Sequence, residues 1–127
     1  MKPYEKLDAW RLAHELALAI YRVTARFPRS ELYGVTAQAR RAALSVPTNI
    51  VEGSAKRGHR EFRRFLDIAI GSLAELSYLL RFARDLGILT PEDWTQLDNQ
   101  RERVGIVTWR LYQSIRDRHP PTHPSLS

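Results

Sequence analysis

The chain has 127 residues, 43% of them hydrophobic, which is typical of one domain around a single core. The absence of cysteine excludes disulfides, thiolate metal sites and cysteine nucleophiles. No stretch approaches the roughly 18 apolar residues of a membrane span, so we expect a cytosolic protein without membrane contact, and the net charge of +6 favours an anionic partner.

The first two predicted helices are separated by a proline and a glycine. Apolar residues recur at helical spacing between residues 6 and 27, and Pro28 ends this helix because the residue before a proline is pushed out of the helical region. A second helix is predicted from Val35 to Lys56. Its core-facing residues are Val35, Ala39, Ala42, Ala43, Val46 and Ile50.

The third and fourth helices have clear end signals. The third runs from His59 to Leu86 and is followed by Gly87, a natural C-terminal cap. Within it, Gly71 costs about 1 kcal/mol relative to alanine, which predicts a close backbone contact at that position. The fourth begins with Thr90 as its N-cap and a proline at its first position.

Four amphipathic helices with short connections predict an all-α protein, an antiparallel four-helix bundle over residues 1–118. The tail HPPTHPSLS, residues 119–127, is rich in proline and is predicted to be disordered. Ile70, Ile106 and Trp109 fall outside the main apolar stripes, where a single bundle would expose them. We therefore expect these three residues to form an interface between copies of the chain in a homo-oligomer.

Basic residues are concentrated in the middle of the chain. Between Arg22 and Arg64, ten basic residues accompany three acidic ones, whereas the rest of the chain has a charge of −1. Most are arginines, whose planar fork pairs with phosphate through two hydrogen bonds. We predict a surface at the junction of helices 2 and 3 that binds RNA or DNA through phosphates. Its residues are Arg40, Lys56, Arg57, Arg60, Arg63 and Arg64.

Polar residues follow the same two helices at steps of three and four. Such spacing puts them in one stripe on each helix, and stripes on consecutive antiparallel helices can meet. The stripes predict a structural network in which Arg41 or Arg64 pairs with Glu52 or Glu75, orienting the helices or a subunit interface. The network residues are Arg41, Ser45, Asn49, Glu52 and Glu75.

The sequence offers little support for catalysis. The glycines of GSAKRG, residues 53–58, have the spacing of a phosphate loop but lack its lysine and its preceding strand. They leave two interpretations, a solvated turn or a phosphate held by backbone N–H groups. No serine has a histidine base placed for it, and no Glu-x-x-His pairs occur. We expect no enzymatic activity, no metal, no cofactor and no small-molecule substrate.

The most specific patterns are FPRSELYGVTAQARRAALSVPTNIVEG, residues 27–53, and EFRRFLDIAIGSLAEL, residues 61–76. They resemble the small bundle proteins named for the intervening sequences of 23S ribosomal RNA, with departures only at Val35 and Val51. The resemblance, over about residues 7–115, implies a left-handed up-down-up-down bundle that assembles as a homopentamer without enzymatic activity. The chain also resembles accessory proteins of diversity-generating retroelements, basic pentamers that work with a reverse transcriptase and nucleic acid.

Two hypotheses for function follow. The first is a non-catalytic, oligomeric bundle that binds RNA or another nucleic acid through its basic surface without reading base sequence. The second is a protein-interaction scaffold whose basic face recruits an acidic protein partner or a polymerase. Because fold does not fix function, the resemblance supports the first only by analogy.

Overall fold

The computed structural model describes residues 1–118, and these residues contain four long helices and no strand. The helices are α1 (Asp8–Thr24), α2 (Val35–Ser54), α3 (His59–Leu86) and α4 (Pro91–Arg118). Short 3-10 turns occupy Pro3–Lys6 and Arg29–Glu31. The predicted all-α class is confirmed, and the predicted tail, residues 119–127, lies outside the described residues.

Two helices end earlier than predicted. The first ends at Thr24, whose hydroxyl donates a 2.7 Å hydrogen bond to the Ile20 carbonyl, and the chain then turns through Phe27 before Pro28. α2 ends at Ser54, whose hydroxyl donates to the Val51 carbonyl at 2.8 Å. In both places a side-chain hydroxyl bonds to a carbonyl of the last turns of the helix.

The third and fourth helices have the predicted ends. Gly87 has φ +86°, the left-handed conformation that a helix C-terminal cap uses and that glycine adopts without strain. Thr90 Oγ1 accepts the backbone N–H of Asp93 at 3.1 Å, so Thr90 is the N-cap of α4. The connection of residues 87–90 is consequently short and well defined.

The four helices pack as a bundle. α1 and α3 each pack against both α2 and α4, which leaves a central space that apolar side chains fill. All four helices contribute fully buried side chains: Leu16, Ile20, Val46, Ile50, Leu66, Leu76, Leu80 and Val104. The four-helix bundle is confirmed, whereas its up-down-up-down order and left-handed turn stay predictions.

Gly53 permits a close approach between α2 and α3. The hydroxyls of Ser45 and Ser72 lie 2.8 Å apart, and nearer the end of α2 Gly53 packs against Phe62 and Phe65. As the residue number rises along α2 it falls along α3, so these two helices run in opposite directions. A methyl group on Gly53 would lie 2.9 Å from Phe65 Cβ, closer than such contacts occur.

The prediction of a close backbone contact at Gly71 is wrong. No atom of the described chain lies within 4 Å of where a Cβ on Gly71 would be, and the residue is exposed. Gly71 lies on the outer side of α3, whereas the tight helix contact involves Gly53 on α2. At this position the lower helix propensity of glycine is therefore not explained by a close contact with any described residue.

Candidate nucleic-acid interface

The turn between α2 and α3 displays a group of basic side chains at one end of the bundle. α2 ends at Ser54, Gly58 takes φ +86°, and α3 begins at His59. Because only four residues connect two helices in close contact, the cations of the turn lie beside those in the first turns of α3. We call this group the basic strip; its members are Lys56, Arg57, Arg60, Arg63 and Arg64.

Most charges of the basic strip are not neutralised by any residue that the structure describes. Arg64 Nε donates to Glu61 Oε2 at 2.9 Å, an exposed pair of residues one helical turn apart. Arg57, Arg60 and Arg63 make no ion pair with any described residue. Their hydrogen-bond donors are therefore available to an anion, and a planar guanidinium suits the oxygens of a phosphate.

Phe65 holds two members of the basic strip in place. Its side chain is almost fully buried between α2 and α3. Arg64 Cζ lies 4.6 Å and Lys56 Nζ 5.4 Å from the centroid of its ring. Both distances are within the range of cation–π attraction, which favours these positions by roughly 0.5–1 kcal/mol at an exposed site. A buried ring thus fixes cations from two different elements.

A cleft of about 440 Å³ opens beside the basic strip. Its lining residues are Arg60, Glu61, Arg63, Arg64, Asp67 and Tyr112. The ring of Tyr112 stacks on that of Trp109, with centroids 5.3 Å apart and planes 7° from parallel. The cleft therefore combines guanidinium groups from α3 with Tyr112 of α4, which in turn is stacked on Trp109.

Tyr112 was missed as a site residue because the sequence alone does not give the register of α3 against α4. The available signal was the spacing of Trp109 and Tyr112, since aromatic residues three apart on a helix can stack. That spacing identifies the pair but not its neighbours. Only packing shows that the pair borders the arginines at the start of α3.

Arg40 lies apart from the other predicted contact residues. Its Nε donates to Thr24 Oγ1 at 2.9 Å, and its guanidinium stacks over the Tyr21 ring at 4.8 Å. It lies fourteen residues before Ser54, the last residue of α2, which is about 21 Å along the helix at ~1.5 Å per residue. The structure thus places Arg40 where α2 packs on α1, away from the basic strip.

The predicted pairing of Arg41 or Arg64 with Glu52 or Glu75 is absent among the described residues, since Arg64 pairs with Glu61, but neutral residues of the predicted network do join the two helices. Asn49 Nδ2 donates to the carbonyl and hydroxyl oxygens of Ser45 at 2.8 and 2.9 Å, and Ser45 continues to Ser72. Arg41, Glu52 and Glu75 are exposed and pair with no described residue. The neutral members therefore join α2 to α3.

The predicted interface residues lie on α3 and α4. Ile106 and Trp109 are each 47% exposed, and Ile70 is half-buried. A second exposed apolar region lies on α3 beside α2, where Tyr78 and Phe82 are 64% and 45% exposed.

The described residues lack the features of two other kinds of site. No three histidine, aspartate or glutamate side chains in that part of the chain are grouped as a metal site would require. None of its helices combines the length and apolarity needed to cross a membrane.

Comparisons with known proteins connect this geometry to a family. Residues 5–108 match the model of the family described as 23S rRNA-intervening sequence protein. No curated protein matches the chain. A similar crystal structure is that of a protein of unknown function from the S23 ribosomal protein family of Bacteroides thetaiotaomicron, with a TM-score of 0.75 and 18% identity. The alignment covers 83% of this chain and 98% of that one, and at this identity it shows a shared fold.

Proposed function

The chain belongs to the 23S rRNA-intervening sequence protein family, and from that premise we propose that it binds RNA or another nucleic acid without catalysing a reaction. The observation that carries the proposal is the basic strip, five cations at one end of the bundle of which only Arg64 has an ion-pair partner among the described residues. A polyanion supplies the missing partners. Phosphate contacts position a protein on nucleic acid without reading sequence, so no base-specific readout is implied.

The basic strip suits a phosphate backbone because it presents several cations side by side, as a row of phosphates requires. Arg63 and Arg64 follow Arg60 by three and four residues, so both project from the same side of α3 as Arg60. Each guanidinium can contact a phosphate and release condensed counterions, which is the main source of sequence-independent affinity. Binding should therefore weaken steeply as salt is raised.

The protein purified from cells should carry nuclease-sensitive material. We expect an absorbance ratio at 260 and 280 nm above that of the polypeptide, falling to the polypeptide value after nuclease treatment and a high-salt wash. The wash is needed because phosphate contacts are screened by salt. A co-purifying acidic protein or polymerase that resists nuclease would instead favour the scaffold function, and a clean preparation under low salt would contradict both.

We also propose that copies of the chain associate through the outer α2–α3 face, defined by Arg41, Glu52, Glu75, Tyr78 and Phe82. Arg41 is a cation and the two glutamates are anions, and none of them pairs within the described residues. A second copy can supply the opposite charge to each while covering Tyr78 and Phe82, which are 64% and 45% exposed. Unlike the predicted contact at Ile70, Ile106 and Trp109, this face combines exposed apolar side chains with charged side chains of both signs.

Light scattering tests the association. The native chain should have a mass that is a multiple of 14.7 kDa, and the double variant Tyr78→Glu, Phe82→Glu should return it to 14.7 kDa by placing charge in the contact. Ile106→Glu is the matched control on the other face and should leave the mass unchanged. If Ile106→Glu alone dissociates the chain, the contact lies on α3 and α4 as the sequence predicted. A native mass of 14.7 kDa would remove the association altogether.

A further inference from the structure

We infer that the ligand of the basic strip contains unpaired nucleotides, whose bases stack on the Trp109–Tyr112 aromatic pair. The inference rests on the proposed function and names its ligand class. Its basis is the joint lining of one cleft by Arg60, Arg63 and Tyr112, with Trp109 stacked on Tyr112. Phosphate-binding and base-stacking groups therefore meet at one place on the surface.

The aromatic pair is arranged as a platform. Its rings are 7° from parallel at a centroid distance of 5.3 Å, and the helical backbone of α4 fixes their separation. Tyr112 covers one face of the Trp109 indole, and Trp109 is still 47% exposed. A large aromatic side chain left half in water has apolar surface available to a further planar group.

The cleft suits a nucleotide that is not in a duplex. Its volume of about 440 Å³ falls in the range of roughly 300–1,000 Å³ that small-molecule sites occupy. In duplex RNA the bases are stacked on one another, and proteins contact mainly phosphates and 2′-hydroxyls. In a single strand or loop the faces of the bases are free, and every base has a face that can stack. Stacking therefore adds affinity without requiring a particular sequence.

The acidic residues of the cleft affect where each part of a nucleotide would lie. Glu61 is paired with Arg64, but Asp67 has no ion pair with a described residue. A free carboxylate repels phosphate, whereas it accepts hydrogen bonds from a ribose hydroxyl or a base amino group. The phosphate would then lie toward Arg57, Arg60 and Arg63, with the sugar and base toward Asp67 and Tyr112.

The test compares an unstructured 12-nucleotide RNA of mixed sequence with the duplex formed from the same strand, at one salt concentration. The native chain should bind the single strand more tightly. Trp109→Ala should weaken single-strand binding roughly tenfold and change duplex binding by less than about twofold, whereas Trp109→Phe should retain most single-strand affinity. Ile106→Ala is the matched control, on the same helix with the same 47% exposure, and should change neither.

The outcomes separate this inference from the proposed function. Duplex and single strand bound equally, with no effect of Trp109→Ala, would overturn stacking and leave phosphate binding intact. Equal losses on both ligands together with a changed mass in light scattering would overturn it as well, because Trp109 would then act in the contact between copies. Failure of the native chain to bind either RNA, or single-stranded and duplex DNA of the same sequence, would overturn both proposals.

Discussion

Replacing Arg57, Arg60 and Arg63 together with alanine is expected to reduce nucleic-acid affinity roughly a hundredfold at about 0.1 M salt. Each neutralised phosphate contributes about 0.7–0.9 log units of affinity per log unit of salt, so three contribute about two log units between 1 M and 0.1 M. The slope of log affinity against log salt should fall by about 2 to 3. Filter binding or fluorescence anisotropy from about 50 to 200 mM salt measures both quantities.

The arginines were chosen because they have no carboxylate partner among the described residues, so removing them disrupts no ion pair. The control replaces three exposed arginines elsewhere, Arg22, Arg29 and Arg103, which also have none. Both triple variants lower the net charge equally. Equal losses of affinity in the two would mean that total charge matters and the basic strip does not, contrary to the proposal.

The sequence predicted the fold well because the signals were local. Apolar residues at helical spacing gave four helices, and Thr90 and Gly87 marked helix ends through the N-cap hydroxyl and the left-handed backbone that the structure contains. The ends of α1 and α2 were less accurate. There, the hydroxyls of Thr24 and Ser54 donate hydrogen bonds to carbonyls of their own helices. The spacing of apolar residues does not indicate these hydrogen bonds.

The candidate site was predicted less accurately from the sequence, because its composition depends on which helices pack against each other. Lys56 to Arg64 lie close in sequence and therefore close in space, whereas Arg40 lies on α2, about 21 Å from the end of the helix that precedes them. Tyr112 joins the site only through the packing of α4 on α3. Charge counts locate cations along the chain but do not distinguish Arg40, held against Tyr21 and Thr24, from Arg60, which has no such partner in the described part of the chain.

The two helical glycines Gly53 and Gly71 also show that sequence alone does not identify which helix surfaces pack together. Gly53 and Gly71 both lie inside helices, and sequence alone gives each the same cost of about 1 kcal/mol relative to alanine. The structure separates them, because Gly53 faces α3 at contact distance and Gly71 faces outward. The helix contact at Gly53 also positions Phe65, whose ring holds Lys56 and Arg64.

Gly53→Ala is expected to lower the free energy of unfolding by about 1–3 kcal/mol, the usual cost of overpacking a core. The new methyl would lie 2.9 Å from both Phe62 Cδ1 and Phe65 Cβ and 3.3 Å from the Phe62 carbonyl oxygen. Phe65 Cβ and that oxygen are tied to the backbone of α3, so the helix itself must move away. Alanine's higher helix propensity offsets less than the full ~1 kcal/mol, because Gly53 lies in the last turn of α2. Urea denaturation at one fixed protein concentration measures the loss.

Gly105→Ala gives the matched comparison, since Gly105 also lies inside a helix and faces a neighbouring one. Its nearest neighbour would be Leu73 Cδ1 at 4.0 Å, an ordinary contact, so we expect the free energy of unfolding to rise by about 0.5–1 kcal/mol. Opposite signs in the two variants would attribute the effect of Gly53 to the close approach of α2 and α3. If both alanines stabilise the chain, α3 does not pack at contact distance on Gly53. The close approach of the two helices would then not explain why Phe65 lies beneath Lys56 and Arg64.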